Sequence, residues 1–315
     1  MTAEVIDGRK IAKALKADVA LEVDQLNAEG IACGLATVAV GDDFSASAYQ
    51  RRLEWISHEL GVPYRHASLA ATSHPDEALS AIRDLNADPA VSGIVVLRPL
   101  PEQVSEAVVF CALAPVKDIE AVHPENAGLL ALGTPRYVPS TAAAAFHVLD
   151  TWLDNTGEDR AEFYRRSLIT VVGRSNNVGK PAISLAYERE AAVESVDVWA
   201  SRSGRLGWHT RRADVLIVAA GVAGLIRSEH IRAGAVVLDV GINRAVDPAT
   251  GATRMVGDVN FSDAASRARA ITPVPGGIGP VTDVWLIRNA VTAARNLALM
   301  PPHPASQHHA GQDVR

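Results

Sequence analysis

The chain has 315 residues, 48% of them hydrophobic and 21% charged, and it carries a formal net charge of −6. This composition is that of a globular protein long enough for two domains, and the acidic balance argues against nucleic acid as a partner. The sequence lacks an apolar run of membrane-spanning length and a secretory signal pattern, so we expect a cytoplasmic protein with no membrane partner. It also lacks metal-ligand spacing. Cys33 and Cys111 lie in apolar contexts, which predicts reduced core residues.

The first half of the chain alternates between helical and strand patterns. Apolar residues at helical spacing predict a helix over residues 9–29, with Gly30 as its C-cap. Strands are predicted at 35–40, 64–69 and 93–97, and further helices at 46–60, 76–85, 103–113 and 140–153. Ser45 or Ser47 is expected to cap the second helix. Such alternation is typical of a parallel sheet.

The stretch LITVVGRSNNVGKP, residues 168–181, predicts a buried strand, a glycine turn and the start of a helix. Free backbone N–H groups and the helix dipole at such a turn form an anion site. Five residues separate Gly173 from Gly179, so the general G-x-G-x-x-G dinucleotide fingerprint is absent. The turn therefore favours phosphate or cofactor binding, with an ordinary tight turn as the alternative.

A second strand is predicted at 193–200, followed by Ser201, Arg202, Ser203, Gly204 and Arg205. In NAD sites a carboxylate at the end of this strand binds the ribose 2′-hydroxyl. With the strand ending at Ala200, that carboxylate is missing. Hydroxyls and guanidiniums suit a 2′-phosphate instead, so the pattern predicts NADP. A solvated basic turn is the alternative.

The last third of the chain ends in a shaped loop and a helix. Strands are predicted at 215–219 and 235–240, and both are followed by glycine. Residues 271–280 contain three glycines and three prolines, which favours a rigid, ligand-facing loop before a helix over 281–299. The tail, residues 301–315, combines three histidines with Pro, Gln and Gly, which predicts disorder rather than a metal site.

Several segments match one family in order along the chain, among them VGDD at 40–43, PLP at 99–101, GRS and VGKP within 173–181, and TPVPGGIGP at 272–280. On these segments the chain resembles the bifunctional methylenetetrahydrofolate dehydrogenase/methenyltetrahydrofolate cyclohydrolases. The resemblance implies a two-domain α/β fold. Residues 1–145 plus 281–300 would form a folate domain, and 146–280 a Rossmann-like NADP domain with a parallel sheet. The last helix would return to the first domain, and the protein would be a homodimer.

The resemblance also assigns residues to the two ligands. Folate contacts are implied for Tyr49, Asp118, Glu120, Pro273, Pro275, Gly276 and Gly277. Cofactor contacts are implied for Gly173, Arg174, Ser175, Val178, Gly179, Ser201, Arg202, Ser203, Ile242 and Thr282. The catalytic positions are Tyr49, Glu120, Leu53 and Leu97, and no metal is implied.

These catalytic positions depart from the family pattern. The lysine that follows the family's tyrosine by four residues is Leu53 here, and the glutamine before the Pro-Leu-Pro motif is Leu97. The pterin-binding aspartate is Glu120, and the glycine after it is Ala121. Leu53 shares a helix face with Tyr49, so we expect it to face the cleft. Strand alternation places Arg98 on the face opposite Leu97.

The two family reactions make different demands on these residues. Hydride transfer from 5,10-methylenetetrahydrofolate depends mainly on alignment, whereas hydrolysis of the methenyl product needs proton transfer. Two leucines in place of polar groups therefore predict NADP-dependent oxidation with the cyclohydrolase lost. Three alternatives stay open. They are a related one-carbon reaction on another acceptor, a non-catalytic folate or NADP binder, and full bifunctionality with Arg52 or Arg98 as a replacement base.

Overall fold

The structure is a computed structural model, and it describes residues 3–246 and 251–300. The predicted disorder of residues 301–315 lies outside the described residues. The strands are β1 (Glu4–Val5), β2 (Leu35–Val40), β3 (Tyr64–Leu69), β4 (Gly93–Val96), β5 (Leu168–Val172), β6 (Ala192–Val196), β7 (Val215–Val218), β8 (Val236–Asp239), β9 (Asn243–Val246), β10 (Thr253–Val256) and β11 (Ala270–Ile271). The helices are α1 (Gly8–Ala28), α2 (Phe44–Glu59), α3 (Pro75–Ala87), α4 (Glu106–Ala112), α5 (Pro124–Ala131), α6 (Ser140–Thr156), α7 (Arg160–Arg166), α8 (Gly179–Glu188), α9 (Val198–Arg202), α10 (Leu206–Thr210), α11 (Phe261–Ala264) and α12 (Ile278–Leu299).

The first unit is built on a three-stranded parallel sheet in the order β3-β2-β4. All six residues of β2 are buried, because hydrophobic clusters cover both of its faces. Leu35 and Ala39 point into the main core, whereas Ala36, Val38 and Val40 belong to a separate cluster with α3. This alternation along one strand explains why an unbroken apolar run forms a central parallel strand.

The second unit is built on a six-stranded sheet in the order β1-β11-β8-β7-β5-β6, in which every strand pair is parallel. The predicted two-domain α/β fold with parallel sheets is therefore confirmed. The division at residues 145 and 146, however, falls inside α6. In addition, β1 at the start of the chain pairs with β11, so residues 4 and 5 belong to the second sheet.

The last helix, α12, returns to the first unit as expected and packs against α1 and α6. Asn289 is buried and donates to the main-chain oxygens of Ile119 and Val138, at 2.9 and 2.8 Å. Arg288 on the same helix pairs with Glu22 of α1 at 3.0 Å. These contacts hold together the segments that carry the functional loops. In the part of the chain described, no helix is long and apolar enough to cross a membrane.

Some local predictions were wrong. The α2 cap is Asp43, which accepts from the N–H groups of Ser45 and Ala46 at 2.8 and 2.9 Å, so neither predicted serine has that role. Cys33 is buried, but Cys111 is exposed, contrary to the prediction of two core thiols. The predicted strand over 193–200 ends at Val196, and α9 begins two residues later. Sequence patterns also missed α5, α7 and the antiparallel β9–β10 hairpin.

Candidate functional site

Two adjoining cavities lie where the units meet. The first, which we call the inter-domain cavity, has a volume of about 320 Å³ and is lined by Tyr49, Arg52, Arg98, Glu120, Val122, Pro139, Ser140, Thr141, Asn177, Val178, Val240, Ile242, Ile278, Gly279 and Thr282. The second, the loop cavity, has a volume of about 510 Å³ and is bounded by the loop at 273–280. The two cavities share lining residues, namely Arg52, Val240, Ile242, Ile278 and Gly279. They therefore form one continuous cleft.

Tyr49 lines the inter-domain cavity from α2, as predicted from the resemblance. The guanidinium carbon of Arg52 lies 5.3 Å from the centre of its ring. Burial raises the pKa of Tyr49 well above its usual value, and the carboxylates of Glu120 and Asp283 raise it further. The phenol consequently stays protonated and can donate a hydrogen bond while its ring faces a ligand.

Glu120 and Arg98 line the same cavity. Burial raises the pKa of Glu120, the positive charge of Arg98 opposes that rise, and Asp118 adds to it. Arg98 comes just after β4, and its guanidinium carbon lies 5.8 Å from the ring centre of Phe110. The cavity thus holds one carboxyl group and guanidinium groups beside a phenol.

Leu53 and Leu97 line neither the inter-domain cavity nor the loop cavity. Both belong to the main hydrophobic core, with 0% and 2% of their surface exposed. The expectation that Leu53 faces the cleft was therefore wrong. Burying an apolar side chain in the core is more favourable in free energy than exposing it to a polar cavity. Leu97 and Arg98 lie on opposite sides, as alternation predicted, but it is Arg98 and not Leu97 that faces the cavity.

Asp118 also departs from its predicted role. It is fully buried, and its carboxylate accepts from the N–H groups of Val122 and His123 at 3.1 and 2.8 Å and from the Asn126 amide at 2.8 Å. These bonds close the turn that presents Glu120. Asp118 therefore shapes the loop in this structure, and the prediction that it contacts substrate is corrected.

Ala121 adopts a left-handed conformation, with φ of +54°. Glycine adopts this conformation without strain, whereas a residue with a Cβ is disfavoured there by about 1–2 kcal/mol. The substitution of alanine for the family's glycine thus preserves the turn at a cost in stability.

We expect Ala121→Gly to stabilise the protein by about 1 kcal/mol, because relief of the strain exceeds the extra chain entropy of glycine. Tm should rise by about 2 °C, measured by thermal unfolding. The control is Ala14→Gly on the exposed face of α1, which should lower stability by about 1 kcal/mol. A lower Tm for Ala121→Gly would show that the left-handed strain is smaller than the chain entropy that glycine adds to the unfolded state.

The loop at 273–277 packs closely on the start of α1. A Cβ on Gly8 would lie 1.7 Å from the main-chain oxygen of Gly277, and the Gly8 N–H donates to the Gly276 oxygen at 2.9 Å. All four predicted loop residues line the loop cavity, namely Pro273, Pro275, Gly276 and Gly277.

One group of functional candidates was missed by the sequence analysis. Arg9, Lys13 and Lys16 line the loop cavity from one face of α1. Their spacing of four and three residues places cations on the same helix face, and this signal was available in the sequence. Lys16 already pairs with Glu59 of α2, so Arg9 and Lys13 are the cations of this face that suit an added carboxylate.

The glycine turn of the second unit is constrained by close backbone packing. A Cβ on Gly173, whose φ is +117°, would lie 2.1 Å from the Ala219 oxygen, and one on Gly179 would lie 2.1 Å from the Gly173 oxygen. The Ser175 hydroxyl accepts from the N–H groups of Val178 and Gly179, at 3.2 and 3.4 Å. Two of the N–H groups predicted to be free are thus satisfied locally.

A separate cavity of about 490 Å³, which we call the ribose cavity, lies beside this turn. It is lined by Arg174, Ser195, Val196, Asp197, Trp199, Ala200, Arg202, Ser203 and His209. Of the cofactor contacts predicted for this region, Arg174, Arg202 and Ser203 line the ribose cavity, whereas Ser201 does not. Val178, Ile242 and Thr282 line the inter-domain cavity. Guanidinium and hydroxyl donors fit a phosphorylated ribose.

The ribose cavity also contains a carboxylate that the sequence analysis excluded. β6 ends at Val196, so Asp197 is the residue at the end of this strand. The sequence pattern extended the strand to Ala200 and therefore passed over Asp197. Within residues 3–246 and 251–300, no group of three or more His, Cys, Asp or Glu side chains is placed to hold a metal ion.

A ligand in the inter-domain cavity would contact both units at once. This arrangement is typical of two-domain α/β proteins in which one unit binds a dinucleotide and the other binds the substrate. Residues 6–120 match the catalytic domain, and residues 139–298 the NAD(P)-binding domain, of tetrahydrofolate dehydrogenase/cyclohydrolase. The chain therefore belongs to the tetrahydrofolate dehydrogenase/cyclohydrolase family.

Individual relatives agree with this assignment over nearly the whole chain. The chain is 57% identical over 299 residues to Bifunctional protein FolD 3 of Rubrobacter xylanophilus, covering 95% of this chain and 94% of that protein. It is similar to a Trypanosoma brucei methylenetetrahydrofolate dehydrogenase-cyclohydrolase complexed with NADP and inhibitor, with 32% identity, a TM-score of 0.86, and coverage of 95% and 100%. The Campylobacter jejuni bifunctional enzyme is 31% identical, with a TM-score of 0.85 and coverage of 94% and 99%.

Proposed function

We propose that this protein oxidises 5,10-methylenetetrahydrofolate to 5,10-methenyltetrahydrofolate with NADP, in one-carbon metabolism, and that it lacks cyclohydrolase activity. The observation that carries the proposal is the inter-domain cavity. Tyr49 and Glu120 of the first unit line it together with Val178 and Ile242 of the second. Folate on one side and a nicotinamide on the other would meet within this one cavity.

The chain's own residues bind and align the folate. Tyr49 presents a protonated phenol and a ring face to the pteridine, and Glu120 offers carboxylate oxygens to its N–H groups. Arg9 and Lys13 at the rim of the loop cavity suit the carboxylates of the folate's glutamate. NADP, when bound, supplies the acceptor for the hydride. Arg174, Arg202 and Ser203 suit its 2′-phosphate.

The proposed loss of hydrolysis rests on Leu53 and Leu97. Water attack on the methenyl bridge needs a group that accepts or donates a proton. At the two positions where the family has lysine and glutamine, this chain has buried leucines that belong to the core. Those side chains cannot donate or accept a proton.

A second candidate function is retained hydrolysis with Glu120 as the general base. Its support is the presence of Glu120 and Arg98 in the same cavity, with burial raising the pKa of Glu120. A carboxyl group with a raised pKa is better matched to proton transfer near neutral pH. The bifunctional description of the R. xylanophilus relative is consistent with this candidate.

We also propose a homodimer, as the resemblance implies. The outer strand β3 is compatible with it, because this strand is an edge of the three-stranded sheet and could pair with another chain. Light scattering would then give twice the mass of the chain.

The test of the main proposal supplies the protein with NADP and 5,10-methylenetetrahydrofolate and measures NADPH and the methenyl product separately. Equal amounts of both are expected. Failure to form NADPH under conditions in which both ligands bind would contradict the dehydrogenase assignment. It would favour a binder or a reaction on another one-carbon acceptor.

A further inference from the structure

The ribose cavity holds an aspartate where dinucleotide-binding sheets recognise the ribose. Asp197 directly follows β6, the strand next to β5 in the sheet. In NAD sites of this architecture, a carboxylate at the end of the second strand accepts a hydrogen bond from the ribose 2′-hydroxyl. One oxygen of Asp197 accepts from the N–H groups of Trp199 and Ala200, at 3.0 and 3.4 Å. Asp197 is therefore fixed in place as the N-cap of α9.

The other oxygen of Asp197 binds Arg174. The distance from Arg174 Nη1 to Asp197 Oδ2 is 2.8 Å. Arg174 also donates through Nε to the Ser195 hydroxyl at 3.0 Å and through Nη2 to the Ser195 main-chain oxygen at 2.9 Å. These bonds hold the guanidinium across the end of β6. Arg174, which lies within the glycine turn, is thus already paired with a carboxylate.

This pairing changes the charge that a ribose phosphate would meet. Arg174, Asp197 and Arg202 line the cavity together, so one of its two guanidiniums is offset by a carboxylate. Arg202 stacks on Trp199, with its guanidinium carbon 5.0 Å from the centre of that ring. A 2′-phosphate would have to share Arg174 with Asp197, and the negative charge of the Asp197 carboxylate would repel it. A 2′-hydroxyl would find an acceptor, because a carboxylate offers about four lone-pair sites.

We propose that Asp197 is a specificity-determining residue that allows NAD to bind at this site and limits the preference for NADP. The inference rests on the proposed function in taking the ligand to be a nicotinamide dinucleotide. The carboxylate accepts from the 2′-hydroxyl of NAD, and the same charge weakens binding of the 2′-phosphate of NADP. Removing the charge of Asp197 while keeping its role as N-cap should therefore change the affinities for NADP and NAD in opposite directions.

The test is Asp197→Asn, with the dissociation constants of NADP and NAD measured by calorimetry. Asparagine is as good an N-cap as aspartate, so α9 should remain intact. NADP affinity should rise by about tenfold, because a like charge next to the phosphate is removed. NAD affinity should fall severalfold, because its charged acceptor is lost. The change in NADP affinity should shrink at high salt.

Two fragments restrict the measurement to the ribose cavity. The affinity of 2′,5′-ADP should rise in Asp197→Asn, while that of 5′-AMP, with its free 2′-hydroxyl, should fall. The matched control is Asp159→Asn, which alters the N-cap of α7, where Asp159 accepts from the Glu162 N–H at 2.8 Å. This control should leave every affinity unchanged.

The outcomes separate this inference from the proposed function. An unchanged ratio of NADP to NAD affinity in Asp197→Asn would overturn the inference and leave Asp197 as a cap only. Folate oxidation could still be measured in that case. Binding of neither dinucleotide to the unaltered protein would contradict both the inference and the proposed function. If Asp197→Asn is unstable, Asp197→Ser provides a second neutral cap for the same measurement.

Discussion

Replacing Glu120 by glutamine is expected to lower kcat/KM for 5,10-methylenetetrahydrofolate oxidation by about 100-fold, with NADP affinity unchanged. Glu120 lines the inter-domain cavity, where under the proposed function its carboxylate would accept from the folate ring. A hydrogen bond to a charged group contributes about 1.5–3 kcal/mol, and misalignment of the reacting carbon reduces the rate further. Glutamine keeps the size of the side chain but replaces one acceptor oxygen with a donor.

The pH profile gives a second readout of Glu120. Burial raises the pKa of this carboxyl, opposed by Arg98, so on acidification it gains a proton at a higher pH than an ordinary glutamate does. Only the ionised form offers two acceptor oxygens. kcat/KM should therefore fall as the pH drops through the raised pKa, and this acid limb should disappear in Glu120→Gln.

Two further variants complete the test of Glu120. Glu102→Gln changes an exposed carboxylate and should leave the kinetics unaltered. Glu120→Asp restores the residue of the family pattern and should raise folate affinity, unless the site has been reshaped for another acceptor. Wild-type kinetics in Glu120→Gln would mean that this carboxylate has no role toward the ligand.

The order of the elements was predictable from the sequence because their signals are local. The bounds of β2 and β3 agree with the predicted strands at 35–40 and 64–69, since both segments are delimited by turns and glycine. Residues 93–97 were equally clear, apart from one residue at the end. The glycine turn at 173–179 was also recognisable, because close backbone packing excludes other residues at both glycines.

The strand end at Val196 was not predictable in the same way. The segment VDVWAS is compatible with a continuing strand, and it is equally compatible with an aspartate that caps a short helix. The tertiary contact between Arg174 and Asp197 favours the second arrangement. Because the strand ends four residues earlier than predicted, Asp197 is the residue that follows it and lines the ribose cavity. The cofactor selectivity that we expect changes accordingly.

The orientation of Leu97 and Arg98 has a similar explanation. Val95 and Leu97 belong to the main core, whereas Ile94 and Val96 belong to the cluster with α3. Period-two alternation therefore continues through Leu97, although β4 ends at Val96. Leu97 enters the core and Arg98 lines the cavity, and the local pattern could not show which of the two faces borders the cavity, because that depends on how the units pack.

The protein is expected to hydrolyse 5,10-methenyltetrahydrofolate no faster than a control without enzyme. General acid–base assistance is typically worth about 10²- to 10⁴-fold, and the leucines at positions 53 and 97 cannot provide it. The measurement supplies methenyltetrahydrofolate directly and follows its disappearance. A matched reaction with 5,10-methylenetetrahydrofolate and NADP, run on the same preparation, establishes that the enzyme is active.

Enzyme-dependent hydrolysis would contradict this expectation, and the variants would then identify the base. Loss of hydrolysis in Glu120→Gln with hydride transfer partly retained would assign the role to Glu120, and loss in Arg98→Gln to the neighbouring guanidinium. Restoring the family's lysine is a poor rescue, because Leu53 is completely buried. An ammonium group there would be desolvated without a partner and would destabilise the core by several kcal/mol. Leu53→Lys should therefore lower Tm sharply, and hydrolysis should not appear in it.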